Sequence, residues 1–215
     1  MLEKKTVEEL KSRVQEAFDE HYELAGGKNY RFHHLVRCHR HVRKLIKSDR
    51  LDGCDIDEEV AETAALFHDI GRKEDIEEGY MNPIAESGEH APRGGRIVSQ
   101  FIEDVLPPEK VEKVEKIIEN HHSSPETVEG KVVQDCDALS NFGVNNLWRM
   151  IHYSADKERT LEQSIDYFWN QLMEQYTERL ENFHFDITKR AAKKRITKHQ
   201  EAMNQIEDEI FAEDL

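Results

Sequence analysis

Ala65-Leu66-Phe67-His68-Asp69-Ile70-Gly71-Arg72 sets an imidazole and a carboxylate side by side at the end of an apolar run. Packing explains that pairing poorly, because two polar groups following Leu66 and Phe67 need partners if they are buried. A divalent metal ion is a partner for both, since neutral imidazole nitrogen and carboxylate oxygen are ligands of borderline and hard cations. The plainer alternative is that His68 caps a helix end while Asp69 faces solvent. The rest of the chain decides between the two.

Upstream, Val60, Ala64 and Phe67 recur at helical spacing, so the stretch reads as a helix capped by Asp55 or Asp57 and ended by Gly71. Before it, a helix from Arg31 to about Arg50 carries His33, His34, His39 and His41. Positions 34, 38, 41 and 45 share a face, so His34 and His41 can look inward. His33 is rotated by about 100° from His34 and His39 lies on another side, and one of the four is expected to be a ligand. The first helix is read from a capping box, Thr6-Val7-Glu8-Glu9, with Val7, Leu10, Val14 and Phe18 as its apolar face. It is expected to stop at Gly26-Gly27, and no segment reads as a strand.

Downstream, residues 72–88 hold Gly79, Pro83 and Gly88 with little periodicity and read as a loop, placed as the rim of an active site. His90 opens a helix that Pro107-Pro108 breaks, and Pro108 suits the first turn of the next. That helix ends in His121-His122 before the turn Ser123-Ser124-Pro125. An apolar stretch leads into Gln134-Asp135-Cys136-Asp137-Ala138-Leu139. Helical patterns then run over 141–151, 161–180 and 188–210, rich in aromatics such as Trp148, Tyr167, Phe168 and Trp169. The expected fold is all-α, a single domain over 1–215. Its metal-site core spans about 20–150, and supporting helices span about 160–210.

Composition narrows the function. Of 215 residues 35% are charged and 37% hydrophobic, and the net charge is −15. Such acidity argues against binding DNA or RNA as a scaffold, since phosphate backbones need basic surface. No apolar run approaches the roughly 18–20 residues that span a bilayer, so no membrane partner is expected. The three cysteines are widely spaced and form no CxxC pattern. A reduced, cytoplasmic protein is the simplest account.

The candidate ligands along the chain are a histidine of the second helix, His68-Asp69, His90, His121 or His122, and an aspartate of Asp135-Cys136-Asp137. Helix bundles build metal sites in this way, from side chains on facing helices. The order His … His-Asp … Asp resembles the HD-domain superfamily of metal-dependent phosphohydrolases. His34-Leu-Val-Arg37 is similar to the family's first-histidine helix, the stretch ending His68-Asp69-Ile70-Gly71 to its "HDIG" centre, and Asp135-Cys136-Asp137-Ala138-Leu139 to its "DADxL" segment. His90-Ala-Pro-Arg-Gly-Gly95 and Ile118-Glu-Asn-His121 resemble the extra histidines of subfamilies with larger metal centres. In the doubled His121-His122 the motif register favours His121.

The resemblance implies a helical HD-domain bundle of the small bacterial and archaeal hydrolase type. It also implies a first metal on His34, His68, Asp69 and Asp137. Asp69 would bridge to a second ion on His90 and His121, or those two would touch the substrate phosphate. The metal, one or two ions of Mn, Fe, Ni, Co, Zn or Mg, would acidify a water for attack on a phosphomonoester or phosphodiester, with a nucleotide-like small molecule as substrate. Asp69 and Arg72 are the catalytic candidates, Arg72 as a partner for phosphoryl charge. The alternatives are a non-catalytic metal- or ligand-binding HD module and a di-iron HD oxygenase. The aromatic C-terminal helices offer a face for a homodimer.

Overall fold

Eight successive residues of the central helix, Val60 to Phe67, are all buried, six of them apolar, and the carboxylate of Glu62 is met by His39 at 3.2 Å. In the computed structural model, residues 1–19, 21–23, 26–48, 51, 54–77 and 89–213 are described. They are overwhelmingly helical and fall into two compact units, one of Met1–Glu23 and Gly27–Asp137, the other of Leu24–Gly26 and Ala138–Leu215.

In the first unit, α1 (Lys4–Ala17) buries Val7, Leu10 and Val14, the face read from the sequence. Its start differs from expectation. Glu3 is the N-cap, no side chain caps the helix, and Thr6 lies inside its first turn. Nor does α1 reach the glycines, because β1 (Tyr22–Glu23) and β2 (Gly27–Lys28) pair antiparallel, Tyr22 opposite Lys28 and Glu23 opposite Gly27. Gly27 has φ 83°, a left-handed conformation that glycine adopts at little cost.

Helix α2 (Tyr30–Ile46) follows, then α3 (Glu58–Phe67). Of the two aspartates weighed as its cap, Asp57 takes the role and accepts a hydrogen bond from Val60 N–H. Lys110 Nζ donates to Asp57 at 3.1 Å and to Glu59 at 2.7 Å, tying the start of α3 to a later helix. A short helix, α4 (Arg72–Glu77), occupies the first part of the expected loop; the remainder, 78–88, lies outside the described residues. Then come α5 (His90–Ile97), α6 (Ser99–Ile102), α7 (Pro108–Glu119, Pro108 in its first turn) and α8 (Val128–Ser140). Helix α3 packs against α2 on one side and α7 on the other, and α7 packs against α5. The approach of α5 is close: a Cβ on Gly94 would lie 2.9 Å from Ile118 Cγ2.

The second unit holds α9 (Asn145–Asp156), α10 (Leu161–Tyr167), a π-helical turn (Phe168–Leu172), α11 (Met173–Leu180) and α12 (Asp186–Phe211). The capping box expected in α1 occurs here, where the Thr160 side chain accepts from Gln163 N–H and the Gln163 side chain from Thr160 N–H. Phe142, Phe168, Tyr176, Ala192 and Met203 form the core. Trp169 is only partly buried and donates from its indole N–H to Glu207 at 2.8 Å. Among the described residues no helix is long and apolar enough to cross a membrane.

Candidate metal centre

The α3 helix ends by delivering His68 and Asp69 into the space between α2, α5 and α7, and Asp69 is the hub of what gathers there. Its Oδ2 lies 3.4 Å from His34 Nε2 and 3.6 Å from His68 Nε2. Asp137 Oδ1, from α8, closes the same group at 3.1 Å from His34 Nε2 and 3.6 Å from His68 Nε2. The two Nε2 atoms are 3.2 Å apart. The other oxygen of Asp69, Oδ1, is 3.4 Å from His90 Nε2 and 3.8 Å from His121 Nε2. His122 Nε2 sits 2.8 Å from His90 Nε2.

These separations fit a shared cation. An ion about 2.1 Å from each ligand holds neighbouring donors roughly 3.0 Å apart in an octahedron and roughly 3.4 Å apart in a tetrahedron. The protonation pattern fits as well. His68 Nδ1 is 3.0 Å from the Ala65 carbonyl and His121 Nδ1 is 2.6 Å from the Ile118 carbonyl, so in each ring Nδ1–H donates outward and Nε2 carries the lone pair. Among the described residues His121 Nε2 is buried with no hydrogen-bond partner, an orphan that a metal would satisfy. Two sets among the described residues therefore qualify as ion holders, His34-His68-Asp69 and Asp69-His90-His121-His122, with Asp69 common to both.

Electrostatics tell the same story. Burial would raise the Asp69 carboxyl, but Arg31, then His68, His121 and His34, hold it well below the usual range. Asp137 is likewise kept low against burial by hydrogen bonds from His34 and His68. Burial lowers His68, yet Asp69 and Asp137 outweigh it and its pKa is raised. His121, buried, is lowered first by desolvation, and His122, at the exposed side of the group beside His121, is lowered to about 4.

His34, His68, Asp69 and Asp137 converge, and so do His90 and His121, with His122 beside them. Arg72 is at the edge, its Nε 3.9 Å from Asp69 Oδ1 and its Nη1 3.4 Å from Asp75 Oδ2. The remaining histidines of α2 stay out: His33 is exposed, His39 pairs with buried Glu62 at 3.2 Å, and His41 meets the Cys136 carbonyl at 3.4 Å. Two residues escaped the sequence reading. Arg31 contacts Asp69 Oδ2 through Nη1 and grips Glu23 through Nε at 3.0 Å and Nη2 at 2.6 Å, all three side chains being buried. Arg31 lies one helical turn before His34, a usable signal; Glu23 had none, because its hairpin went unrecognised.

A protein-family model described as the HD domain matches residues 31–141, just over half of the chain. The chain belongs to the HD domain family. Solved structures agree on the HD fold. An HD-superfamily hydrolase from Bacillus thuringiensis is 22% identical with a TM-score of 0.67, covering 97% of this chain and 98% of that one. YpgQ from Bacillus subtilis, solved in complex with ADP, is 21% identical with a TM-score of 0.62, at 95% and 97% coverage. A predicted HD-superfamily hydrolase from an uncultured Thermotogales bacterium is 21% identical with a TM-score of 0.63, at 94% and 91%. No curated protein sequence matches. This HD domain thus carries the fold of HD-superfamily hydrolases and buried His/Asp groups positioned to hold a metal ion.

Proposed function

We propose that this HD-domain protein is a metal-dependent phosphohydrolase that cleaves a phosphomonoester or phosphodiester of a nucleotide-like small molecule. The observation that carries the reading is the two-sided use of Asp69, with one oxygen toward His34 and His68 and the other toward His90 and His121. When bound, divalent ions there supply Lewis acidity that activates water and offsets charge on both the attacking and leaving oxygens of a phosphoryl transfer.

The protein's own side chains do the rest. His34, His68, Asp69 and Asp137 would hold the first ion, and His90 and His121, with His122, would hold the second. The carbonyls of Ala65 and Ile118 fix the tautomers of His68 and His121, so their Nε2 atoms stay unprotonated for binding. Arg72, anchored by Asp75, presents a guanidinium at the edge of the site, where it binds the phosphoryl oxygens and stabilises their charge in the transition state. The similarity to a protein solved with ADP supports a nucleotide as the substrate class, and the acidic surface supports a small phosphate over a nucleic-acid polymer.

Phosphate release from a panel of nucleoside mono-, di- and triphosphates and phosphodiesters, measured with added Mn²⁺, tests the proposal. Turnover of at least one member, lost in Asp69→Ala, is expected. Metal-loaded, folded protein that releases no phosphate from any member would overturn it in favour of a binding module.

A further inference from the structure

The buried Arg31–Glu23 pair is the feature that the metal-ligand reading leaves unexplained. A guanidinium against a metal-binding carboxylate looks counterproductive, because its charge repels the incoming cation. Glu23 resolves this. It takes two of the guanidinium's donors at 3.0 and 2.6 Å, in a site where Arg31 is 8% and Glu23 2% exposed. The pair is thus nearly neutral as a unit, and what it presents to Asp69 Oδ2 is an oriented N–H donor from Nη1. Glu23 sits on β1 opposite Gly27, so the small hairpin acts as the mount for this donor.

We propose that Arg31, charge-balanced by Glu23, is a positioning residue that fixes the rotation of the Asp69 carboxylate so that Oδ2 serves the His34–His68 side and Oδ1 the His90–His121 side. The proposal rests on the metal-centre reading above. A freely rotating carboxylate could not keep one oxygen for each ion, and outer partners of metal ligands typically contribute about 10–100-fold to metal affinity.

Charge balance gives a test with a sign that a scaffolding role does not share. Mn²⁺ affinity is titrated in wild type, Glu23→Gln, Arg31→Lys and the double variant E23Q/R31Q, with helicity checked in each. Glu23→Gln leaves an unbalanced cation beside Asp69 and should weaken Mn²⁺ binding about 10-fold or more. Arg31→Lys keeps the charge but loses the fork and should weaken it similarly. In the double variant the unbalanced cation is gone, so it should bind Mn²⁺ more tightly than Glu23→Gln alone. Arg31→Lys at wild-type affinity would overturn the positioning role, and a folded double variant no tighter than Glu23→Gln would overturn the charge balance by Glu23. If Glu23→Gln does not fold, the Arg31→Lys arm decides by itself. Wild type that binds no Mn²⁺ would overturn the metal reading and this proposal together, whereas binding without phosphate release would leave Arg31 standing and remove only the hydrolase assignment.

Discussion

Replacing Gly71 with alanine should damage the second half of the metal centre more than the first. Gly71 follows His68-Asp69-Ile70 and faces the opening turn of α5. A Cβ there would lie 2.1 Å from the His90 carbonyl oxygen and 2.6 Å from Gly94 N, both backbone atoms that no rotamer change can move. Real Cβ contacts essentially never fall below 3.0 Å, so the turn and α5 must separate by about 0.9 Å. Overpacking of this kind costs about 1–3 kcal/mol, which for a chain of this size lowers Tm by roughly 2–12 °C. The same displacement draws His90 Nε2 away from Asp69 Oδ1, now 3.4 Å distant. A misplacement near 1 Å can reduce turnover about 10²-fold. Thermal melting, Mn²⁺ titration and phosphate release on Gly71→Ala make the assay. The expected outcome is a lower Tm, a weakened second ion with the first retained, and a large loss of turnover. Gly71→Ala with wild-type Tm and turnover would refute the close-approach argument.

Other consequences can be checked in parallel. His121→Ala should cut metal content by less than His68→Ala does yet lower turnover about 10²-fold or more, the scale of a positioned acid–base or ligand group; elemental analysis beside kinetics reads both. Phe168→Ala, at a fully buried ring, should lower stability by about 3–5 kcal/mol, and denaturant melts should show a smaller loss for half-buried Trp169→Ala. Burial holds His199 at about 4 against its usual 6.5. Between those values the unfolded chain binds more protons, so stability rises with pH there and falls by up to about 3 kcal/mol on acidification; His199→Asn should flatten that slope in melts recorded from pH 7 to 4.

Much of the site was legible because its residues advertise themselves locally. His68-Asp69 closes an apolar helix, His34 shares a face with Cys38 and Leu45, and proline and paired histidines mark the ends of α7. The tie from Asp137 to His34 is long-range and came from the likeness to a family pattern, since spacing alone left Asp135 equally open. What was not legible has physical reasons. Strands of two residues are too short to show alternation, so the β1–β2 hairpin went unread and Glu23 with it. Thr6 carries the pattern of a cap but lies inside the first turn, because α1 begins at Lys4 without a side-chain cap to announce it. Gly71 was read as a helix stop, whereas its space is needed by the backbone of α5, a tertiary contact that no local pattern encodes.

The central claim is that two cations share Asp69. Metal stoichiometry on protein purified without a histidine tag and loaded with Mn²⁺ tests it most directly. The account predicts about two ions per chain in wild type, about one in His90→Ala and none in Asp69→Ala. Wild type that binds only one ion or none, or Asp69→Ala that retains the full complement, would contradict it.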